Sequence, residues 1–286
     1  MSDEFNVLRR FLAKKSGLAL DAQKTYLVES RLKPIMQKAG LPDLAAVVKA
    51  IQCGNDIGLM REVVEAMTTN ETFFFRDRTP FEKFKQIMLP QLIEARRAER
   101  RLRIWCAAAS TGQEPYSLAM ILDEEISKLS GWVVEIVATD LSRSVLATAQ
   151  EGLYSQFEVQ RGLPIAHLLR YFKREGDKWR ISEHLRSRIR FEEFNLLSDY
   201  RELGCFDVIF CRNVLIYFDL ATKKDVLDRM AGAILPDGYF VMGSAETVVG
   251  LTDSFVPDPE HRSFNVVRQS LAAAPRPSLR IVAGGA

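Results

Sequence analysis

The fold is decided by LRIWCAAASTGQEPYSLA, residues 102–119, together with VVEIVATD, residues 133–140. Each segment begins with a short apolar run that contains β-branched or aromatic residues, which is typical of a buried strand. Small residues follow the first run, and a helix is predicted over Glu114–Leu129. A strand, a short loop, a helix and another strand form the unit from which parallel sheets are built. The sequence therefore predicts an α/β fold with helices on both faces of a mostly parallel sheet.

The same alternation continues towards the C-terminus. Further strands are predicted at IRFEEFN (189–195), FDVIFCRN (206–213) and GYFVMGS (238–244). Helices are predicted over Arg143–Gln150 and Ala221–Ile234, the second one ended by Pro236-Asp237-Gly238. Residues 168–192 interrupt this rhythm, because FKREGDKWRI consists of two short alternating runs around Gly176-Asp177. We expect a small β-rich insertion there.

The N-terminal part has a different character. Residues 1–68 contain apolar residues at helical spacing, separated by Gly17, Gly40 and Gly54, and predict an all-helical domain. Residues 69–98 are expected to form a linker and a connecting helix. The sheet domain would then occupy residues 99–268, and the Ala-, Pro- and Gly-containing tail at 269–286 is predicted to be disordered.

Composition excludes several classes of protein. The 286 residues are 47% hydrophobic and 27% charged, as in an ordinary globular protein. No apolar run is long enough to span a membrane, and MSDEFNVLRR lacks the features of a signal peptide. Four cysteines without CxxC spacing and only three histidines argue against disulfides, a metal site or a histidine-based triad. We expect a cytoplasmic, monomeric protein without metal.

The net charge of +2 conceals two basic regions. Residues 76–103 carry nine Lys or Arg against four Asp or Glu, and residues 161–190 carry nine against three. Such regions indicate an acidic macromolecular partner, although solvated helix faces would give the same pattern.

Polar residues follow the predicted strands at the ends where parallel sheets bind ligands. Asp140 ends the second strand, and a carboxylate at this position accepts hydrogen bonds from a ribose diol. Glu114 lies in the first turn of a helix, where its negative charge would repel a pyrophosphate, and Gly112 is the only glycine of that loop. The same charge would attract the ammonium and sulfonium groups of S-adenosylmethionine. This favours S-adenosylmethionine over a dinucleotide, although both acids also suit helix N-termini.

Six motifs in order resemble those of CheR-type chemotaxis receptor methyltransferases over roughly residues 5–268. They are TTNETFFFR, AAASTGQEPYSLA, ATD, FNLL, FDVIFCRNVLIYF and LPDGYFVMGSAE. The resemblance implies a Rossmann-like S-adenosylmethionine-dependent methyltransferase sheet with an N-terminal all-helical domain and a small inserted β-subdomain. It also implies methyl transfer from S-adenosylmethionine to glutamate side chains on the cytoplasmic helices of methyl-accepting chemotaxis receptors. Neither a nucleic-acid partner nor insertion into a membrane is expected.

The resemblance also assigns roles to individual residues. Arg76 and Tyr217 would flank the incoming glutamate. The cofactor would meet the linker, the two acids, the adenine region and the wall near the methyl donor, through Asn70, Thr72, Arg76, Glu114, Asp140, Asn195, Leu196, Asn213 and Val214. The chain departs from the family pattern at Gln113, where an acid is common, and at Phe73, where a smaller residue is usual.

Three other functions stay open at this level. A nicotinamide-dependent dehydrogenase is disfavoured by the scarcity of glycine and by Glu114. A nucleic-acid methyltransferase is disfavoured because RNVLIYF, not an NPPY-type loop, follows the fourth strand. A catalytically weak S-adenosylmethionine-binding scaffold would retain the same residues.

The basic insertion suggests how receptors are approached. Some family members grip a receptor C-terminal peptide with this subdomain, but the turn in FKREGDKWRI is several residues shorter than in that type. We therefore predict a tether-independent enzyme that is steered to acidic receptor helices by Lys173, Arg174, Lys178 and Arg180.

Overall fold

The computed structural model describes residues 3–268, so the predicted disordered tail lies outside the described residues. The N-terminal domain consists of four helices, α1 (Asp3–Ser16), α2 (Thr25–Ala39), α3 (Leu44–Cys53) and α4 (Ile57–Met67). The side chains of Asp43 and Asp56 accept hydrogen bonds from the first turns of α3 and α4, and thereby fix where these helices begin. Leu8, Leu12 and Val63 belong to a hydrophobic core that is separate from the cores of the sheet domain.

The linker leads into a broken helix. It consists of α5 (Thr79–Lys83), a π-helical turn (Phe84–Met88) and α6 (Leu89–Ala95). Phe81 and Phe84 are buried and contact Phe210 of the sheet domain with their rings. The connection between the domains is therefore anchored in the core of the sheet domain.

The remaining elements alternate along the chain. The strands are β1 (Arg101–Ala107), β2 (Val133–Asp140), β3 (Leu153–Ser155), β4 (Phe172–Glu175), β5 (Lys178–Ile181), β6 (Ile189–Glu193), β7 (Phe206–Cys211), β8 (Ile234–Met242), β9 (Phe255–Pro257) and β10 (Asn265–Val267). The helices are α7 (Gln113–Glu124), α8 (Arg143–Glu151), α9 (Gln156–Gln160), α10 (Ile165–Tyr171), α11 (Glu183–Arg186) and α12 (Leu220–Gly232).

Seven strands form the main sheet in the order β6-β2-β1-β7-β8-β10-β9. The first five are parallel to one another, and β10 pairs with β8 and β9 in antiparallel fashion. The chain moves outward from β1 to β2 and β6, and later returns to the other side of β1 with β7. The carboxyl ends of β1 and β7 therefore border the crevice at which such sheets bind ligands. This confirms the predicted fold class.

One predicted turn is part of a strand. Pro236-Asp237-Gly238 lies inside β8, where the pairing with β7 shifts register between Phe206 and Val208. A Cβ atom at Gly238 would lie 2.7 Å from the carbonyl oxygen of Asp207, so only glycine fits this bulge. The side chain of Arg96 holds the bulge by binding both Asp207 and Asp237 at 2.8 Å. Strands β9 and β10 were not predicted because each is only three residues long.

A second sheet of three strands has the order β3-β5-β4. It extends beyond the expected range of 168–192 because Tyr154 of β3 pairs with Trp179 of β5. The range also ends too late, since β6 already belongs to the main sheet. No helix within residues 3–268 has both the length and the apolar character needed to cross a membrane.

Candidate active site

A cavity opens at the carboxyl ends of β1, β2 and β7. Its empty volume is about 1000 Å³, which includes space open to solvent. All ten residues predicted for the site line this one cavity: Asn70, Thr72, Arg76, Glu114, Asp140, Asn195, Leu196, Asn213, Val214 and Tyr217. Ser16 and Leu18 of the N-terminal domain also line it. The cavity is therefore formed between the two domains, with the linker as one wall.

Asp140 is the last residue of β2 and is buried. One carboxylate oxygen accepts the backbone N–H of Ser110 at 2.9 Å, and the other accepts that of Ser142 at 2.9 Å. Burial raises the pKa of Asp140 above its ordinary value, and these two N–H groups oppose the shift. The backbone thus orients both oxygens, and each keeps lone pairs with which to accept hydroxyl groups of a ligand.

Glu114, in the first turn of α7, is joined to Arg212 directly after β7. Nη1 of Arg212 donates to Oε2 of Glu114 at 2.9 Å, and the two side chains are only 2% and 11% exposed. Burial raises the pKa of Glu114, whereas the guanidinium of Arg212 lowers it. The predicted negative charge at this position is therefore partly balanced from within the protein.

Arg212 also holds the linker. Its Nη2 donates to the carbonyl oxygen of Arg76 and to Oδ2 of Asp77, both at 2.8 Å. Sequence reasoning missed this residue. The available signal was a single cation directly after the six buried residues of β7, because a buried cation requires carboxylate partners.

The backbone around Arg76 is unusual. Phe75, Asp77 and Arg78 have φ values of 51°, 66° and 46°, in the left-handed region that side-chain-bearing residues seldom adopt. Each such residue costs on the order of 1–3 kcal/mol, which tertiary contacts must offset. Besides Arg212, these contacts include the N–H of Phe75, which donates to Oγ of Ser117 at 2.9 Å.

The loop after β7 carries Asn213, Val214 and Tyr217. Asn213 has a φ of 58°, and its N–H donates to Oε2 of Glu246 at 2.7 Å. The same oxygen of Glu246 accepts the N–H of Gly243 at 2.9 Å. Glu246 was also missed, although it lies in a quoted motif, and it fixes the loop from the turn that follows the neighbouring strand β8.

The N-terminal domain supports the same loops through its backbone. The N–H of Ala19 donates to the carbonyl oxygen of Tyr217 at 2.8 Å, and Leu18 forms an isolated antiparallel bridge with Phe218. On the other wall, Nδ2 of Asn195 donates to the carbonyl oxygen of Lys15 at 2.6 Å. Loops from both halves of the sheet are thus braced against the end of α1.

The two domains meet at a third point beside Asp140. The carboxylate of Glu65, on α4, accepts three hydrogen bonds. The donors are the hydroxyl of Ser142 at 2.9 Å, the hydroxyl of Ser144 at 3.1 Å and the N–H of Arg143 at 3.2 Å. This places a negative charge at the N-terminus of α8, where the helix dipole favours it. Ser142 therefore links Glu65 of one domain to Asp140 of the other.

The cavity suits S-adenosylmethionine. Asp140 and Glu114 supply acceptors, and Oδ1 of Asn213 is a buried acceptor without a hydrogen-bond partner among residues 3–268. These acceptors match a ligand with an ammonium group and a ribose diol, whereas a pyrophosphate offers no donors to them. The fold and the site together define an S-adenosylmethionine-dependent methyltransferase.

Comparison with known proteins agrees with this class and specifies the family. Residues 70–262 match the model of the CheR methyltransferase, SAM binding domain, and residues 3–68 match that of the CheR methyltransferase, all-alpha domain. The chain belongs to the CheR methyltransferase family. Membership of this family decides against a nicotinamide-dependent dehydrogenase.

Curated relatives match over most of their length. The chain is 46% identical to chemotaxis protein methyltransferase 1 of Pseudomonas aeruginosa over 88% of this chain and 93% of that protein. It is 44% identical to chemotaxis protein methyltransferase Cher2 of Pseudomonas putida over the same shares. Chemotaxis protein methyltransferase 1 of Vibrio cholerae is 39% identical over 88% of this chain and 92% of its own.

Proposed function

We propose that this enzyme transfers the methyl group of S-adenosylmethionine to glutamate side chains on the cytoplasmic helices of methyl-accepting chemotaxis receptors. The products would be a glutamate methyl ester and S-adenosylhomocysteine. The names of the relatives, all chemotaxis protein methyltransferases, support the chemotaxis context. A glutamate carboxylate is proposed as the methyl acceptor because of the charged side chains that line the cavity.

The observation that carries the proposal is that, in the described part of the chain, only one of the two arginines in the cavity wall, Arg212, is paired with acidic side chains. Arg212 is balanced by Glu114 and Asp77. Arg76 makes no ion pair within residues 3–268, and its Nη1 donates only to the carbonyl oxygen of Glu71, at 2.8 Å. A guanidinium with donors to spare at the edge of this cavity suits an incoming carboxylate, which it can bind in bidentate fashion.

The chemistry asks little of the protein beyond positioning. A glutamate with an ordinary pKa of about 4.3 is already ionised at neutral pH, so no general base is needed. S-adenosylmethionine, when bound, supplies a methyl group on a positively charged sulfur, which leaves as a neutral thioether when a carboxylate oxygen attacks. No His, Cys or Lys is found among the described residues that line the cavity, in keeping with this chemistry.

The residues of the chain would then divide the work. Asp140, with Asn70, Thr72, Asn195 and Leu196 around it, would hold the cofactor, and Glu114, Asn213 and Val214 would border its charged portion. Arg76 would orient the glutamate carboxylate, and Tyr217 would close the opposite side. Holding the nucleophile and the methyl group in line and excluding water supply the rate enhancement.

The direct test uses methyl-labelled S-adenosylmethionine and membranes that contain a single overexpressed chemoreceptor. Transfer to glutamate gives label on the receptor that alkali releases as methanol, because methyl esters hydrolyse in base. Base-stable label on the receptor, or label on nucleic acid instead, would contradict the proposal. Binding of S-adenosylhomocysteine without any transfer would favour the scaffold function.

A further inference from the structure

We infer that Arg161, in the inserted subdomain, is a positioning residue that keeps the guanidinium of Arg76 available for the substrate carboxylate. It does so by occupying the side chain of Glu71. The inference rests on the proposed function, in which Arg76 orients the incoming glutamate. Arg161 follows α9 directly.

Arg161 contacts the same two residues that hold Arg76. Its Nη2 lies 2.5 Å from Oε1 of Glu71, and its guanidinium carbon lies 4.4 Å from the centre of the Phe73 ring. Arg76 donates to the carbonyl oxygen of Glu71, and its guanidinium carbon lies 5.6 Å from the same ring. Both arginines therefore contact Phe73 and Glu71.

The division of these contacts is uneven. Arg161 donates to the carboxylate of Glu71, whereas Arg76 donates only to its backbone carbonyl oxygen. Arg161 is the main cause of the lowered pKa of Glu71, through its hydrogen bond and its charge, and Arg76 contributes less. Without Arg161, the carboxylate of Glu71 would be an unpartnered anion beside a cation. It would then compete with the substrate carboxylate for Arg76.

The backbone keeps Arg161 at this place. Gly162, the next residue, has a φ of 82°, and a Cβ atom there would lie only 2.1 Å from the carbonyl oxygen of Phe74. The loop after α9 therefore touches the linker backbone two residues before Arg76, at a distance that only glycine permits. The departure from the family pattern at Phe73 has a use in this arrangement, because its ring supplies the surface that both guanidinium groups approach.

The test compares Arg161→Ala with Arg161→Ala/Glu71→Gln in receptor methylation. Arg161→Ala should lower kcat/KM for the receptor by about three- to tenfold, the size of effect that an exposed ion pair and a cation–π contact produce. The dissociation constant of S-adenosylhomocysteine should stay nearly unchanged. Adding Glu71→Gln should restore most of the loss, because the amide carries no charge with which to hold Arg76.

Two further variants separate positioning from general damage. In an Arg76→Ala background, Arg161→Ala should have little additional effect, since nothing remains to be positioned. Arg97→Ala is the matched control, because Arg97 forms an exposed pair with Glu94 at 3.3 Å, just before β1 and at the opposite end of the sheet. This control should behave like the wild type.

The outcomes also separate this inference from the proposed function. If the wild type yields no base-labile receptor label, or Arg76→Ala methylates at the wild-type rate, the proposed function of the site fails and the inference with it. If both of those results are as expected, the inference alone is overturned by wild-type kcat/KM in Arg161→Ala. Failure of Glu71→Gln to rescue, or an undiminished effect in the Arg76→Ala background, would equally overturn it.

Discussion

Arg212 and Glu114 form a buried salt bridge of 2.9 Å that joins the end of β7 to the first turn of α7. The same guanidinium binds the carbonyl oxygen of Arg76 and the carboxylate of Asp77. One side chain thus connects the acid proposed to face the cofactor with the linker residue proposed to meet the substrate. Its loss should affect the fold and the site together.

Removal of Arg212 should be strongly destabilising. Arg212→Ala leaves the carboxylate of Glu114 buried without a counter-charge, which costs about 3–5 kcal/mol of unfolding free energy. Arg212→Lys keeps the charge but cannot reach all three acceptors, so a smaller loss is expected. Urea denaturation followed by circular dichroism measures both, and a loss below 1 kcal/mol for Arg212→Ala would contradict the structural role.

Asp140 should matter mainly for cofactor affinity, although its loss also leaves the N–H groups of Ser110 and Ser142 without their acceptor. Asp140→Ala removes charge-assisted hydrogen bonds to a ribose diol, so the affinity for S-adenosylhomocysteine should fall by about 1.5–3 kcal/mol, or roughly ten- to a hundredfold. Titration calorimetry measures the dissociation constant. An unchanged value in a folded variant would refute the assignment.

The same carboxyl group predicts a pH dependence. Only the ionised form accepts hydrogen bonds with both oxygens, and burial raises the pKa of Asp140, with Glu65 adding to the shift. Affinity for S-adenosylhomocysteine should therefore decline on acidification at a higher pH than the ordinary aspartate value of about 3.9 would suggest. Asp140→Asn should flatten this decline. Any slope that remains is assigned to Glu114, whose pKa burial also raises.

Arg76→Ala should separate substrate positioning from cofactor binding. If its guanidinium holds the glutamate, kcat/KM for the receptor should fall by about ten- to a hundredfold. The affinity for S-adenosylhomocysteine should change little. Arg76→Lys should recover only part of the rate, because an ammonium cannot bind a carboxylate in bidentate fashion. Wild-type rates in Arg76→Ala would rule out the role.

The inserted hairpin provides a prediction about charge. Lys173, Arg174 and Lys178 make no ion pair in the described part of the chain, whereas Arg180 is bound to Glu175 at 2.7 Å. Three of the four proposed steering cations are thus available. Replacing these three by Gln should lower kcat/KM by roughly tenfold at low salt and much less once screening acts over about 8–10 Å.

Methylation should not depend on the C-terminal residues of the receptor. The β4–β5 turn consists of Gly176-Asp177 alone, which leaves little surface for a tethering peptide. A receptor truncated at its C-terminus should therefore be methylated at the same rate as the intact receptor. Micromolar binding of a receptor C-terminal peptide, lost when the hairpin is mutated, would contradict this prediction.

Much of the fold was accessible from the sequence because buried parallel strands leave a local trace. The continuous apolar runs of β1, β2 and β7 predict their own positions, and the polar residue after each run predicts the binding edge. Pro236-Asp237-Gly238 was predicted to end a helix but lies in a β-bulge of β8, because the same residue types favour turns and bulges. Only the close approach of the Asp207 carbonyl distinguishes the two.

The site was predicted less completely, for reasons of distance along the chain. Asp140 and Glu114, which both line the cavity, could be predicted as site residues because each follows a local pattern of strand, loop and helix. Arg212 was not, because its partners Glu114 and Asp77 lie 98 and 135 residues away. The support from Ala19 and Lys15 is given by backbone atoms, which leave no mark on the choice of side chain.

The bracing of the cavity by the end of α1 has a consequence for how the protein is made on the ribosome. Lys15 and its partner Asn195 are 180 residues apart, so at about 5–20 residues per second roughly 10–40 s separate their synthesis. The helical domain has a core of its own and can fold during that interval. The backbone at Leu18 and Ala19 then has no partner until the segment with Tyr217 and Phe218 has left the ribosome. A newly made chain therefore completes this wall of its ligand cavity only after the helical domain has formed.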